Sequence, residues 1–204
     1  MDDLIDGYRR FHVDTWLQQR ERFNKLAESQ SPETLVIACS DSRVDPQMVF
    51  DAAPGELFVV RNVAALVPPF EPDGGRHGVS AALEFGVRVL KVKRIVVLGH
   101  ARCGGVQALV EGAPKLARDF VEPWMSIAEP VLWRNPPSPE SQPKLDGYEM
   151  EVVKLSLDNL LTFPWIVEGV REGRLALHGM RFDIRTGVLW RLADTGKFIP
   201  VDAH

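Results

Sequence analysis

Apolar and polar positions along this chain follow two rhythms, and the switches between them predict its elements. In residues 2–28, Leu4, Ile5, Tyr8, Phe11 and His12 recur at helical spacing, as do Trp16, Leu17, Phe23 and Leu26, with charged residues between. "SQSP" at 29–32 breaks that pattern. "TLVIAC" (34–39) is a short continuous apolar run rich in β-branched residues, as a strand buried on both faces requires. "DPQMVFDAA" opens on Asp-Pro and predicts a short helix, "ELFVVRN" (56–62) a second strand, and "PPFEPDGG" (68–75) a loop. "GVSAALEFGVRVLK" (78–91) predicts a helix with Ala82, Phe85 and Val89 on its apolar stripe. "RIVVLGH" (94–100) predicts a third buried strand, and "CGGVQALVEG" a turn into a helix. Beyond it, 118–134 predicts helix, the proline-rich "NPPSPESQPK" (135–144) a loop, and "DGYEMEVVKLSLDNLLTF" a long helix, with Pro164 starting a shorter one. "RLALHGMRFDI" and "GVLWRLAD", separated by "RTG", predict two strands joined by a tight turn.

Strand–helix–strand–helix–strand–helix is the grammar of a parallel sheet covered on both faces. The expected fold class is therefore α/β: a mostly parallel central β-sheet flanked by helices, with an N-terminal helical arm and a C-terminal hairpin-like strand pair. The 204 residues suit one domain, 1–204, of which 1–30 form the arm. There is no internal repeat and no low-complexity segment.

Composition narrows the function classes. Apolar residues make up 45% and charged residues 25%, as in an ordinary globular protein. A net charge of −4 and a pI near 5.8 leave no basic footprint, so nucleic acid is not an expected partner. No apolar run reaches the roughly 18 residues of a membrane span, so no membrane association is expected. The charged start "MDDLIDGYRRFHVDTW" lacks the apolar core of a signal peptide, and the expected location is cytoplasmic. In that reducing setting the two cysteines, Cys39 and Cys103, point to metal binding or catalysis rather than to a structural disulfide.

Their placement sharpens this. Sites in open parallel sheets lie outside the carboxyl ends of the strands. Cys39 ends one predicted strand, His100 ends another, and "GHARCGG" (99–105) puts Cys103 on the same tight turn as His100. Two thiolates and an imidazole are a ligand set of catalytic zinc, with a fourth position open. The plainer alternative is a buried cysteine at a strand end, a satisfied structural histidine and a surface ion pair. Two thiolates cancel the charge of Zn²⁺, so a water on such an ion needs a nearby acceptor to orient it. Asp41 is in reach, and Arg43 can hold its carboxylate ionised and away from the metal.

"CSDSR" followed some sixty residues later by "GHARCGG" resembles the β-class carbonic anhydrases, and the resemblance runs from about Gln30 through the C-terminal strands. It implies one zinc per chain on Cys39, His100 and Cys103, with Asp41 and Arg43 as a dyad. The implied reaction is the reversible hydration of CO₂ to bicarbonate and a proton by zinc-bound hydroxide that the dyad orients. It also implies a homodimer or homotetramer, with the arm packed on the partner. One kind within the family has a second bicarbonate site built from a Trp, an Arg and a Tyr. The matching positions here are Val36, Arg61 and Phe182, and only the arginine is present. "SQSPETLVIACSDSR" and "LTFPWIVEGVREGRLALHG" instead resemble the plant-like, open-site kind. By that resemblance Gln30, Phe58, Val63, Phe85 and Gly104 line the CO₂ pocket, part of them donated across the dimer. Phe85 stands where a Tyr is expected, and plain core is the simpler reading of Phe58, Val63 and Phe85. His77 is either a proton relay at the site mouth or an ordinary loop histidine. The competing activities are hydrolysis of carbonyl sulfide or carbon disulfide at the same metal, a non-catalytic zinc module, and thiol redox chemistry of Cys39 with Cys103.

Overall fold

A computed structural model describes residues 1–134 and 145–202, so the proline-rich loop expected at 135–144 lies outside the described residues. The strands are β1 (Thr34–Cys39), β2 (Leu57–Asn62), β3 (Arg94–His100), β4 (Ala176–Phe182), β5 (Leu189–Leu192) and β6 (Phe198–Pro200). They form one six-stranded sheet in the order β2-β1-β3-β4-β5-β6. The pairs β1–β2, β1–β3 and β3–β4 are parallel, and β4–β5 and β5–β6 are antiparallel. The α/β expectation is met, and β6 extends the C-terminal strand pair to three antiparallel strands. That last strand is three residues long, too short for a period-2 pattern to show in the sequence.

β1 and β3 read as unbroken apolar runs because both of their faces are covered. Leu35, Ile37, Ile95 and Val97 pack on one face with Leu83, Val153, Leu160 and Ile166. Val36, Ala38, Val96 and Leu98 pack on the other with Val44 and the partly buried Phe50, Phe182 and Ile184. Both covered faces remove apolar area from water at roughly 25 cal/mol per Å².

The arm comprises α1 (Asp2–Arg10), a wider π turn over Phe11–Trp16 and α2 (Arg20–Glu28). None of its helical residues is buried, and Leu4, Ile5, Tyr8, Phe11, Val13 and Leu17 are exposed. α3 (Pro46–Val49) starts where Asp45 accepts from the Gln47 and Met48 N–H groups, with Pro46 at the first helical position. α4 (Gly78–Glu84) continues as a π turn through Phe85–Val89. The stripe expected here is corrected: Val79, Leu83 and Gly86 face the core, whereas Phe85 and Val89 are exposed. The buried stripe Val79, Leu83, Gly86 (i, i+4, i+7) and the expected one Ala82, Phe85, Val89 (i, i+3, i+7) are both at helical spacing, and packing against the sheet, not periodicity, selects the first. After β3 come α5 (Gly104–Glu111), α6 (Val121–Ser126), α7 (Glu129–Arg134), α8 (Leu145–Leu160) and α9 (Pro164–Arg171). The stretch expected as one helix over 118–134 is thus two, parted at Ile127–Ala128.

Candidate active site

Register places the chemistry. Ala38 pairs with Leu98, so Cys39 and His100 leave the sheet side by side at the carboxyl edge of neighbouring strands. The turn after β3 brings Cys103 back to them. The sulfurs are 3.9 Å apart, and one ligand atom from each of Cys39, His100 and Cys103 lies within 4.8 Å of the others. All three residues are buried.

The donor atoms fit a metal. His100 is 1% exposed, and its Nδ1 donates to the Ala101 carbonyl at 2.9 Å. That bond leaves Nε2 with the lone pair, and this buried atom has no hydrogen-bond partner among the described residues. The Cys103 contact lowers the Cys39 thiol to about 4, while Cys39 and burial push Cys103 up. Two sulfurs so placed share one proton, and a divalent cation is the complement that lets both ionise. Burial draws the His100 ring down, and the facing Cys39 sulfur more than offsets this, so the net shift is upward.

Asp41 and Arg43 meet as a fork. Arg43 Nε donates to Asp41 Oδ1 at 2.9 Å and Nη2 donates to Oδ2 at 2.7 Å, with the Arg43 backbone N–H adding a bond to Oδ1 at 2.9 Å. These bonds hold the Asp41 carboxyl well below the usual carboxylate range. Asp41 Oδ2 remains 3.8 Å from His100 Nε2, so the carboxylate stands beside the ligand group while paired to Arg43. Both residues open onto a cavity of about 800 Å³, lined also by Arg102, Gly104, Gln107 and Asp183.

Two features of this edge were not legible as functional in the sequence. Arg61 spends its donors on the loop that carries the dyad: Nε to Cys39 O at 3.0 Å, Nη1 to Asp45 Oδ2 at 3.1 Å, and Nη2 to Asp41 O at 2.7 Å and Val44 O at 2.9 Å. Val36 is fully buried in β1, Phe182 lacks a hydroxyl, and four of the five N–H groups of this arginine are already bonded within the chain. Arg61→Met is expected to destabilise the fold by about 2 kcal/mol in urea unfolding, because several carbonyls lose a charged donor. Unchanged stability would show that water replaces these bonds at no cost. The second feature is a backbone strain beneath the sulfurs. Ala64 and Ala65 are buried with φ of 67° and 53°, and Asn62 clamps this turn by accepting from Leu66 N and donating to Leu66 O, both at 2.8 Å. Gly105 lets α5 close on it, since a Cβ there would stand 2.7 Å from Val63 Cγ1.

The five residues expected around CO₂ divide into two groups. Val63 adjoins the strained turn, and Gly104 faces open space at the cavity. Phe58 is level with Leu35, four residues below the row of Cys39 and Asn62, or roughly 13 Å along the strand. Phe85 stacks on Phe58 with ring centroids 5.9 Å apart and is exposed beyond it. Gln30 is exposed just before β1, toward the amino end of the strand whose other end carries Cys39. Within one chain, then, Gln30, Phe58 and Phe85 stand apart from Cys39, His100 and Cys103. His77 pairs with Asp73 at 2.7 Å in the loop before α4.

Comparison with known proteins adds the lineage. The family model for carbonic anhydrase matches residues 34–189. A carbonic anhydrase of Pseudomonas aeruginosa is 40% identical over 207 residues, covering 100% of this chain and 93% of that protein. A solved β-carbonic anhydrase superposes with a TM-score of 0.91 at 28% identity, covering 100% of this chain and 93% of the other. A β-carbonic anhydrase of Sordaria macrospora, described as tetrameric, superposes with a TM-score of 0.80 at 26% identity, covering 98% of each chain. With the fold, the Cys-His-Cys group and these similarities in agreement, the chain belongs to the β-class carbonic anhydrases, enzymes of the carbonate dehydratase type.

Proposed function

We propose that this chain binds one zinc ion through Cys39, His100 and Cys103 and hydrates CO₂ reversibly, giving bicarbonate and a proton, with Asp41 and Arg43 directing the attacking oxygen. The observation that carries this reading is the buried, unpartnered Nε2 of His100, facing two sulfurs beside a carboxylate that an arginine has already fixed. Bound there, zinc supplies Lewis-acid activation of water near neutral pH. The chain's own groups do the rest. An ionised carboxylate only accepts, so Asp41 takes the hydrogen bond of the attacking water and turns an oxygen lone pair toward CO₂. The Arg43 fork consumes the other acceptor sites of Asp41 and keeps it from turning onto the cation. Val63 offers an apolar wall suited to a small apolar substrate.

A second copy completes the pocket in this proposal, with Gln30, Phe58 and Phe85 of one protomer reaching its partner's site and the arm's apolar face covered by the partner. Their separation from the metal group within one chain and the exposed apolar arm support it, as does the tetrameric relative. Sedimentation at twice or four times 22.8 kDa is expected, and a monomer at assay concentration would contradict it. The open-site kind is favoured because Val36 and Phe182 supply neither a Trp nor a Tyr and Arg61 already spends four of its five N–H donors on the chain, so bicarbonate inhibition should follow a simple hyperbola. The deciding experiment pairs metal analysis with stopped-flow CO₂ hydration and an assay of hydrogen sulfide release from carbonyl sulfide. One zinc per chain with fast hydration supports the reading. Zinc without hydration favours a non-catalytic module, and faster sulfide release favours the sulfur substrates.

A further inference from the structure

Immediately behind the Cys103 backbone lies a charge pair that the reaction above does not use. Glu149 on α8 and Arg181 on β4 are each 2% exposed. Arg181 Nε donates to Glu149 Oε2 at 2.8 Å, and Nη2 lies 2.7 Å from the same oxygen. The arginine also reaches Asp146 Oδ1 at 2.6 Å, and its Nη1 stands 3.8 Å from Asp183 Oδ2. The other oxygen of Glu149, Oε1, accepts from the Cys103 N–H at 3.3 Å. Apolar residues of similar volume often stabilise a core as well as a buried ion pair does. Stability therefore gives little reason for this pair, whereas its direction toward the backbone of a ligand residue gives a specific one.

The turn between His100 and Cys103 needs holding. Arg102 has a φ of 60°, in the left-handed region that a side chain with a Cβ disfavours. Three hydrogen bonds grip the turn from three sides. Ala101 N donates to Phe182 O on β4 at 2.9 Å, Arg43 Nη2 donates to Arg102 O at 3.1 Å, and Cys103 N donates to Glu149 Oε1. The first two fix residues 101 and 102. The bond to Glu149 acts on residue 103 itself, at the point where the chain enters α5. Because Arg181 neutralises the carboxylate, Glu149 brings an acceptor beside two sulfurs without adding net negative charge there.

We propose that Glu149, fixed by Arg181, is a positioning residue that sets the place of the Cys103 sulfur in the metal site by holding the Cys103 backbone N–H. The proposal rests on the reading that Cys39, His100 and Cys103 bind zinc.

Two double variants separate positioning from bulk stability. Glu149→Leu with Arg181→Met removes the charge pair and the acceptor together. Glu149→Gln with Arg181→Met removes the charges but keeps an oxygen that can accept from Cys103 N. Zinc affinity is read by competition with a chromophoric chelator, and ligand geometry by the absorption bands of the cobalt-substituted proteins. The Leu variant is expected to bind zinc more weakly by roughly 10- to 100-fold and to show shifted cobalt bands, as loss of an outer partner does at other metal sites. The Gln variant is expected to return toward the wild type in both. A Leu variant with wild-type affinity and spectrum overturns the proposal, and so do two variants equally weakened, since the acceptor then counts for nothing. Should the variants not fold, amide hydrogen exchange in the wild-type enzyme decides. Cys103 N–H protection equal to that of β3 supports the proposal, and exchange at the rate of an exposed loop overturns it. A wild-type chain that takes up no zinc defeats the zinc reading and this inference with it. Zinc uptake with an unaffected Leu variant defeats this inference alone.

Discussion

Asp41→Asn is expected to lower kcat/KM for CO₂ hydration by at least about 100-fold while one zinc per chain stays bound. The substitution changes no ligand atom and keeps the side chain's shape. It does change what the group offers. Asp41 uses Oδ1 for the Arg43 backbone N–H and Nε, and Oδ2 for Nη2, and as a carboxylate it still has lone pairs for the attacking water. An amide has one acceptor oxygen, which Arg43 will claim, and an NH₂ group that repels the guanidinium or faces the water as a donor. Stopped-flow hydration assays with metal analysis measure both halves, and unchanged turnover would defeat the dyad argument. The pH dependence is equally specific. Arg43's bonds depress the Asp41 carboxyl, so the stability they lend is present above the ordinary carboxyl value and is lost only as the pH falls below it. Asp41 therefore stays ionised across the neutral range. The variant should scale the neutral part of the rate profile down without moving its midpoint.

Taking the metal away is expected to return hydration to the buffer rate and to lower stability as well. Three buried donors, one of them without a hydrogen-bond partner among the described residues, are left facing one another when no cation binds them. Re-adding zinc to a free concentration of 1,000 times its Kd should stabilise the fold by about 4 kcal/mol relative to the apo form, read as a raised unfolding temperature. His100→Ala should remove most of that gain and leave hydration at the buffer rate, because two thiols alone hold the ion weakly and without its third donor. A metal-stripped chain that hydrates CO₂ as fast as the loaded one would sink the zinc reading.

The sheet and the Cys-His-Cys cluster were legible for the same reason. Strands covered on both faces write continuous apolar runs, and a cysteine or histidine ending such a run is placed by the sheet at its carboxyl edge, as Cys39 and His100 are. "CSDSR" likewise shows an acid and a base at a spacing that local backbone geometry turns into a fork. The remainder depends on contacts distant in sequence. Glu149 and Arg181 are 32 residues apart, and each alone reads as a surface charge. Arg61 reads as a remnant of an anion site until its donors are seen to be spent on the dyad loop. The exposure of Phe85 was not legible because two stripes at helical spacing run along this segment, and only packing against the sheet decides which is buried.

The sulfurs of Cys39 and Cys103 are separated by 64 positions of chain, with all of β2 and α4 between them. Parallel pairing of β1 with β3 must close that whole loop before the donors meet, and contacts of such separation form late because the entropy of closure is lost before any contact repays it. A growing polypeptide accordingly has no complete donor set until Cys103 has been made and the central strands have paired. On the proposed zinc reading, metal capture would report the completion of the sheet's centre, and would tell a folded chain from one in which only the local helices have formed.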